Sequence, residues 1–238
     1  MKRNAAVRLV LIAATGAAGL SSASAPARAQ VIEREAAAAK AETWQGSIGV
    51  RSTFIRSAGF DPFSGNDVMS QMSLALEHVF VRRDAFAFAA GVAGDFGGSS
   101  STARGAPSDL KLLRFTAVAE GRYQPWDRAY GFVRFAPGML LGSAEVADAS
   151  APNGRLLQDE FNVLAVDTSA GAALRLSGPA NPVAAWVTAE AGYGWAGSHR
   201  LMLAPEATPR DQAKIAPLDL GTIDARGAFM RFAAVITY

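Results

Sequence analysis

Ser198 and His199 stand side by side, just past Trp195, and are the first pair in this chain to consider for catalysis. A serine hydroxyl polarised by a histidine could attack an acyl ester. That chemistry needs spatial convergence and an orienting acid, which adjacency in sequence does not supply. The only other histidine is His78, and there is no cysteine. Two histidines leave little material for a zinc centre. The lack of cysteine excludes disulfides and thiol catalysis. No Gly-rich phosphate loop is present. The expectation is a protein with no enzymatic role, metal or cofactor. A lipid deacylase or acyltransferase built on Ser198 and His199 is the alternative.

The remaining chemistry-bearing residues are charges at alternate positions. Arg51, Glu77, Arg114, Glu120, Arg122, Arg134, Asp167, Arg175, Glu190 and Arg231, with Asp95 a further candidate, each sit next to an apolar residue. In "MRFAAVITY", Met230, Phe232, Ala234, Ile236 and Tyr238 form one face and Arg231 lies on the other. In "WQGSIGVRSTF", Trp44, Ile48, Val50 and Phe54 oppose Gln45, Arg51 and Thr53. A period of two marks a β-strand with one apolar and one polar face. The pattern recurs in "MSLALEHVF", "FAFAAGVAGDF", "LRFTAVAEGRY", "LAVDTSAGAALRL" and "VAAWVTAEAGYGW". In "YGFVRFAPGMLL", Tyr130 and Phe132 share a face with Arg134, and Pro137 predicts a bulge or a local break in pairing.

Eight strands result, joined by connections that alternate in length. "SAGFDPFSGND", "GGSSSTARGAPSD", "SAEVADASAPNGRLLQDE" and "GSHRLMLAPEATPRDQAKIAPLD" are long; "RRD", "QPWDR" and "SGPANP" are short. Bacterial outer-membrane barrels have this asymmetry, with short periplasmic turns and long outer loops. Trp44, Phe86, Tyr123 and Tyr238 fall at one end of the apolar face, and Phe54, Phe96, Tyr193 and Trp195 at the other. Two aromatic girdles around an apolar band suit the two lipid interfaces. A soluble barrel of lipocalin type would instead turn the apolar face inward. With the apolar face in lipid, a one-residue slip would expose six arginines to the bilayer, at about 2–4 kcal/mol each near its centre.

The first residues add a charged start, an apolar run and Ala27-Arg28-Ala29, which together read as a secretory signal. Losing Lys2, Arg3, Arg8 and Arg28 leaves 19 basic against 21 acidic residues, a net charge of −2. The basic balance of the whole chain is therefore no argument for nucleic-acid binding. The expected organisation is a signal peptide at 1–29, a periplasmic N-terminal segment at 30–43 and a barrel at 44–238. The fold class expected is all-β, an antiparallel up-and-down eight-stranded transmembrane β-barrel in the outer membrane of a Gram-negative bacterium.

Signal peptide, eight amphipathic strands, no cysteine and a final strand ending on an aromatic resemble the small outer-membrane barrels of the OmpA/OmpX type. The resemblance covers about Trp44 to Tyr238. It implies that Met230, Phe232, Ile236 and Tyr238 serve as the signal read by the outer-membrane assembly machinery. Outer-membrane lipid is the expected surrounding. The interior of eight strands is just wide enough for side chains to fill, so the inward charges are expected to pair and plug it. A narrow ion path is the remaining alternative. The loop at 197–219, read as exposed and broken by proline, is the candidate site for a surface ligand.

Overall fold

The computed structural model of the chain describes residues 43–103, 105–147, 156–178, 183–205 and 217–238. The expected signal peptide at 1–29 and all but Thr43 of the expected N-terminal segment at 30–43 lie outside the described residues. Among the described residues there are ten strands: β1 (Trp44–Phe54), β2 (Val68–Arg83), β3 (Phe86–Ala103), β4 (Ala106–Trp126), β5 (Ala129–Ala147), β6 (Leu156–Arg175), β7 (Ala184–Ala196), β8 (Ser198–Pro205), β9 (Leu218–Asp224) and β10 (Gly227–Thr237). β1 to β7 pair in chain order, β7 pairs with β10, and β10 pairs with β1. All these pairings are antiparallel, so eight strands close a ring. Closure leaves the ring no unpaired edge, which a backbone in lipid requires.

The side-chain period sorts the two faces. Ile48, Val50, Leu74, Val92, Phe115, Val133, Leu164 and Phe232 point outward and are exposed. So do Trp44, Phe86, Tyr123 and Tyr238 at one end, and Phe54, Phe96, Tyr193 and Trp195 at the other. Arg51, Glu77, Asp95, Arg114, Glu120, Arg122, Asp167, Glu190 and Arg231 point inward and are buried. An apolar exterior around a charged interior is the inverse of a soluble protein. The chain is a transmembrane β-barrel.

Local irregularities follow from the sequence. The β2–β3 register shifts between Val79 and Val81, around Phe80. At Pro137 the β4–β5 ladder is interrupted between the Thr116–Gly138 and Ala119–Phe135 pairs and resumes without a register shift. The β5–β6 ladder continues through Pro137 opposite Val166. The missing N–H therefore falls on the β4 side.

The outer connections differ from expectation in three ways. "GGSSSTARGAPSD" is mostly strand: β3 runs on to Ala103, β4 begins at Ala106, and Gly105 before it has φ +86°. The first outer loop turns into the barrel mouth through a 3₁₀ turn, Asp61–Phe63, with Phe60 and Phe63 fully buried. The fourth contains a hairpin, β8–β9, which also pairs with the outer end of β6 at Leu157–Pro205 and Gln158–Ala204. Leu201 and Leu203 of this hairpin are fully buried, so the expectation of an exposed loop fails there. Alternation between Leu201, Leu203 and their exposed neighbours Arg200 and Met202 was the available signal; the prolines obscured it.

Candidate functional site: the barrel interior and the outer mouth

Three layers fill the interior. At the level of the short turns Tyr130, Phe132, Ala173, Ala184, Trp186 and Val235 form an apolar cluster. The Trp186 indole N–H donates to Thr237 Oγ1 at 3.2 Å. Arg175 lies over the Trp186 ring, 5.6 Å from its centre, and its Nε donates to Ser177 Oγ at 3.4 Å.

The middle layer holds five guanidinium groups and five carboxylates, drawn from all eight strands of the ring. Arg51 Nη1 reaches Asp95 at 2.8 Å and Asp167 at 2.5 Å. Arg114 also pairs with Asp167. Arg231 joins Asp95 to Glu190, at 3.0 Å to each. Arg134 reaches Glu190 at 3.4 Å, Glu77 at 2.9 Å and Glu120 at 2.5 Å. Arg122 completes the chain to Glu120 at 2.6 Å and Glu77 at 3.4 Å. The ten groups form one connected network with equal numbers of each sign. Gln45 donates to Glu77, and Ser169 to Glu190. The Phe229 ring receives Arg51 at 4.0 Å and Arg231 at 5.5 Å, both cation–π contacts. Gly194 leaves the space for the upper half: a Cβ there would meet Asp167 Oδ1 at 2.6 Å and Arg51 Nη2 at 3.0 Å.

The outer layer is apolar. Phe60 and Phe63 pack with Ile55, Met69, Leu110, Leu112, Leu140, Phe161, Leu201, Leu203 and Ile223. Hydrogen bonds strap the first loop across the mouth. The Gly59 amide and Ser57 Oγ donate to the Thr222 carbonyl, and the Asp224 amide donates to Ser57 Oγ. Ser99 and Ser108 hydroxyls hold the Phe63 and Pro62 carbonyls at 2.7 and 2.5 Å.

The residues considered for catalysis separate. Ser198 and His199 are successive positions of β8, so their side chains point to opposite faces. His199 stacks on Phe161 at 5.0 Å and its Nε2 meets Asp159 Oδ2 at 3.1 Å. Asp159 also accepts the Met202 amide at 2.8 Å. This contact docks the hairpin on β6. His78 faces outward between Trp44 and Phe80, with ring centres 4.6 and 4.7 Å away. On the exposed side of the hairpin Arg200 pairs with Asp219 at 2.5 Å. The Arg200 hydrogen bond, with the Gly221 amide, holds the Asp219 carboxyl below its ordinary value.

Met230, Phe232 and Ile236 of β10, and Tyr238 just after it, all face outward. This strand closes the ring on β1, with Tyr238 N and Trp44 N exchanging carbonyl bonds at 3.0 Å.

Several interior residues escaped the sequence reading. Trp186 was legible by parity with Glu190. Phe229 was legible by parity with Arg231. Phe60, Phe63 and Asp159 depend on loop packing, which has no period to read.

No protein-family model matches this chain, and no curated protein matches it. Solved structures do. Ail, the attachment invasion locus protein of Yersinia pestis, in complex with the heparin analogue sucrose octasulfate, is 11% identical, with 82% of this chain and 98% of that chain covered and a TM-score of 0.44. Neisserial surface protein A is 10% identical over 82% and 96%, with a TM-score of 0.42. The β domain of the Bordetella autotransporter BrkA is 12% identical over 83% and 98%, with a TM-score of 0.38. Likeness at this level transfers no property to this chain. The barrel rests on its own strand pairings.

Proposed function

We propose that the chain is a Gram-negative outer-membrane protein whose plugged barrel carries a rigid outer platform for contact at the cell surface. The observation that carries this reading is the interior. A neutral network of ten charged groups lies between two apolar layers, and the outer layer includes the first loop and the β8–β9 hairpin. A buried charge is tolerable when paired, and breaking a pair is costly. Such a lumen suits a scaffold better than an ion path. The platform's exposed side offers Arg200, Met202, Leu218 and Asp219. The assembly role of Met230, Phe232, Ile236 and Tyr238 belongs to the same proposal, since β10 supplies the closing seam.

The chain has no native cysteine, so single thiols can be placed without background. Met202→Cys should react with a membrane-impermeant maleimide on intact cells, and Ser177→Cys only after the cells are opened. The reverse labelling would refute the outer platform. In planar bilayers the purified barrel should give no large steady conductance. A stable porin-sized step would refute the plug.

A further inference from the structure

β1 and β10 meet at the short-turn end of the barrel, where the Trp44 amide donates to the Tyr238 carbonyl at 3.0 Å. Height can be followed along each strand by itself. Trp44 to Phe54 on β1, and Tyr238 back to Ala228 on β10, are equal lengths of chain. At ~3.3 Å per residue and ~40° tilt each climbs about 25 Å, the apolar band of an outer-membrane barrel. Arg56 and Arg226 each lie two residues beyond that span. They sit at the height of the outer headgroups. Both are exposed, while Ile55, Ala225 and Gly227 beside them are buried. Both arginines therefore keep the outward parity of Phe54 and Ala228.

Contacts on either side bring the two together. Below them, a Cβ on Gly227 would meet the Phe54 carbonyl, so the β1–β10 register runs on past the Thr53–Phe229 pair. Above them, the Asp224 amide donates to Ser57 Oγ at 3.0 Å. Arg56 and Arg226 thus lie opposite one another on the seam. On the next strand Gly194 pairs with Gly227 and Tyr193 with Ala228, which sets Trp195 beside Arg226. Phe54, Tyr193 and Trp195 form an exposed apolar shelf under the pair.

Like charges opposite one another destabilise a sheet. Lower on this seam Arg51 and Arg231 have Asp95 between them. Arg56 has no ion-pair or hydrogen-bond partner among the described residues. Arg226 reaches Asp224 through Nε at 2.7 Å, and its side chain is still 62% exposed. No carboxylate bridges the two among the described residues. A phosphate monoester would: it carries about −1.5 to −2 charge at pH 7 and three acceptor oxygens, which suit two guanidinium forks.

We infer that Arg56 and Arg226 hold the phosphate monoester of an acylated glycolipid of the lipid A class in the outer leaflet. The phosphate bridges the two guanidinium groups, and an acyl chain lies over Phe54 and Tyr193. A phosphodiester lipid has one charge to offer and binds less well. Asp67, whose carbonyl takes the Ile55 amide at 2.8 Å, is exposed and adds a carboxylate near Arg56. It opposes the phosphate. The inference rests on the outer-membrane reading proposed above.

The full chain in phosphatidylcholine nanodiscs would be titrated with three probes: lipid A bearing its phosphates, the same lipid dephosphorylated, and phosphatidylglycerol. Native mass spectrometry would count the lipid retained. One phosphorylated lipid A should stay bound, at least tenfold in excess of either other probe. Arg56→Gln and Arg226→Gln should each weaken it at least fivefold, Arg56→Lys should restore part of the loss, and Asp67→Asn should tighten binding. Lys111→Gln, three strands from β1, should change nothing. All four side chains are exposed, so heat-shifted gel mobility should remain that of the folded barrel. Equal retention of dephosphorylated lipid A, unchanged binding in Arg56→Gln, or an equal loss in Lys111→Gln would overturn the site and leave the barrel standing. Displacement of the lipid by an equal concentration of inorganic phosphate would overturn the lipid assignment. A chain that never enters the nanodisc would overturn both readings.

Discussion

Arg51 and Arg231 are direct cross-strand partners on the β1–β10 seam, and both point inward. Like charges opposite one another destabilise a sheet. Asp95 bridges the pair, at 2.8 and 3.0 Å, so the closure of the barrel depends on a carboxylate two strands away. Asp95→Ala should therefore destabilise the barrel by about 3–5 kcal/mol, the cost of stranding buried partners, measured by urea unfolding of the refolded protein. Glu190→Ala should cost a similar amount, because Arg231 and Arg134 both lose a partner. Gly194→Ala should also destabilise, since the new methyl would press on Asp167 and Arg51. Parity revealed which side these charges take. Their pairing was not readable, because it depends on the stagger of strands distant in sequence.

At the scale of the element, the strands were legible and the outer connections were not. Alternation identifies a strand wherever one face is apolar, and Pro137 marked its own break in the β4–β5 ladder. Above the membrane both faces of a strand meet protein or water, so the period weakens. That explains why the upper part of β3, Gly97 to Ala103, read as part of a long connection. β8 and β9 were hidden for a related reason: their apolar side covers the barrel mouth and their flanks are rich in proline. The correction changes an expectation about loop deletion. Removing residues 206–216 should leave thermal stability close to that of the parent, since loop closure varies slowly with length. Leu201→Asp or Leu203→Asp should instead loosen the mouth, because each would bury a charge among Phe161, Phe63 and Ile223 without a partner. Limited proteolysis of the inserted barrel would register the difference as new cleavage between residues 55 and 67. Truncation of Phe232 to Tyr238 removes the seam with β1 and should prevent insertion, read as loss of the heat-shifted gel band.

The whole molecule is an inside-out protein held in register by its solvent. Lipid fixes which face of every strand is outward, and the neutral charge network is possible only because all eight strands obey that choice. Slipping one strand by one residue would place its inward charge in the bilayer and an apolar side chain among the ion pairs. Architecture was therefore visible from composition and period alone. The partner of the platform was not, because a surface contact needs no period. The most direct test of this account is a spin-label scan of β4 in vesicles, using Leu113, Phe115, Ala117, Ala119 and Tyr123 as the outward set and Thr116 and Val118 as the inward set. Labels of the outward set should collide freely with dissolved oxygen and hardly at all with a water-soluble nickel chelate. Labels at Thr116 and Val118 should be shielded from both. Outward labels that meet the nickel chelate along the whole of β4 would contradict the membrane barrel.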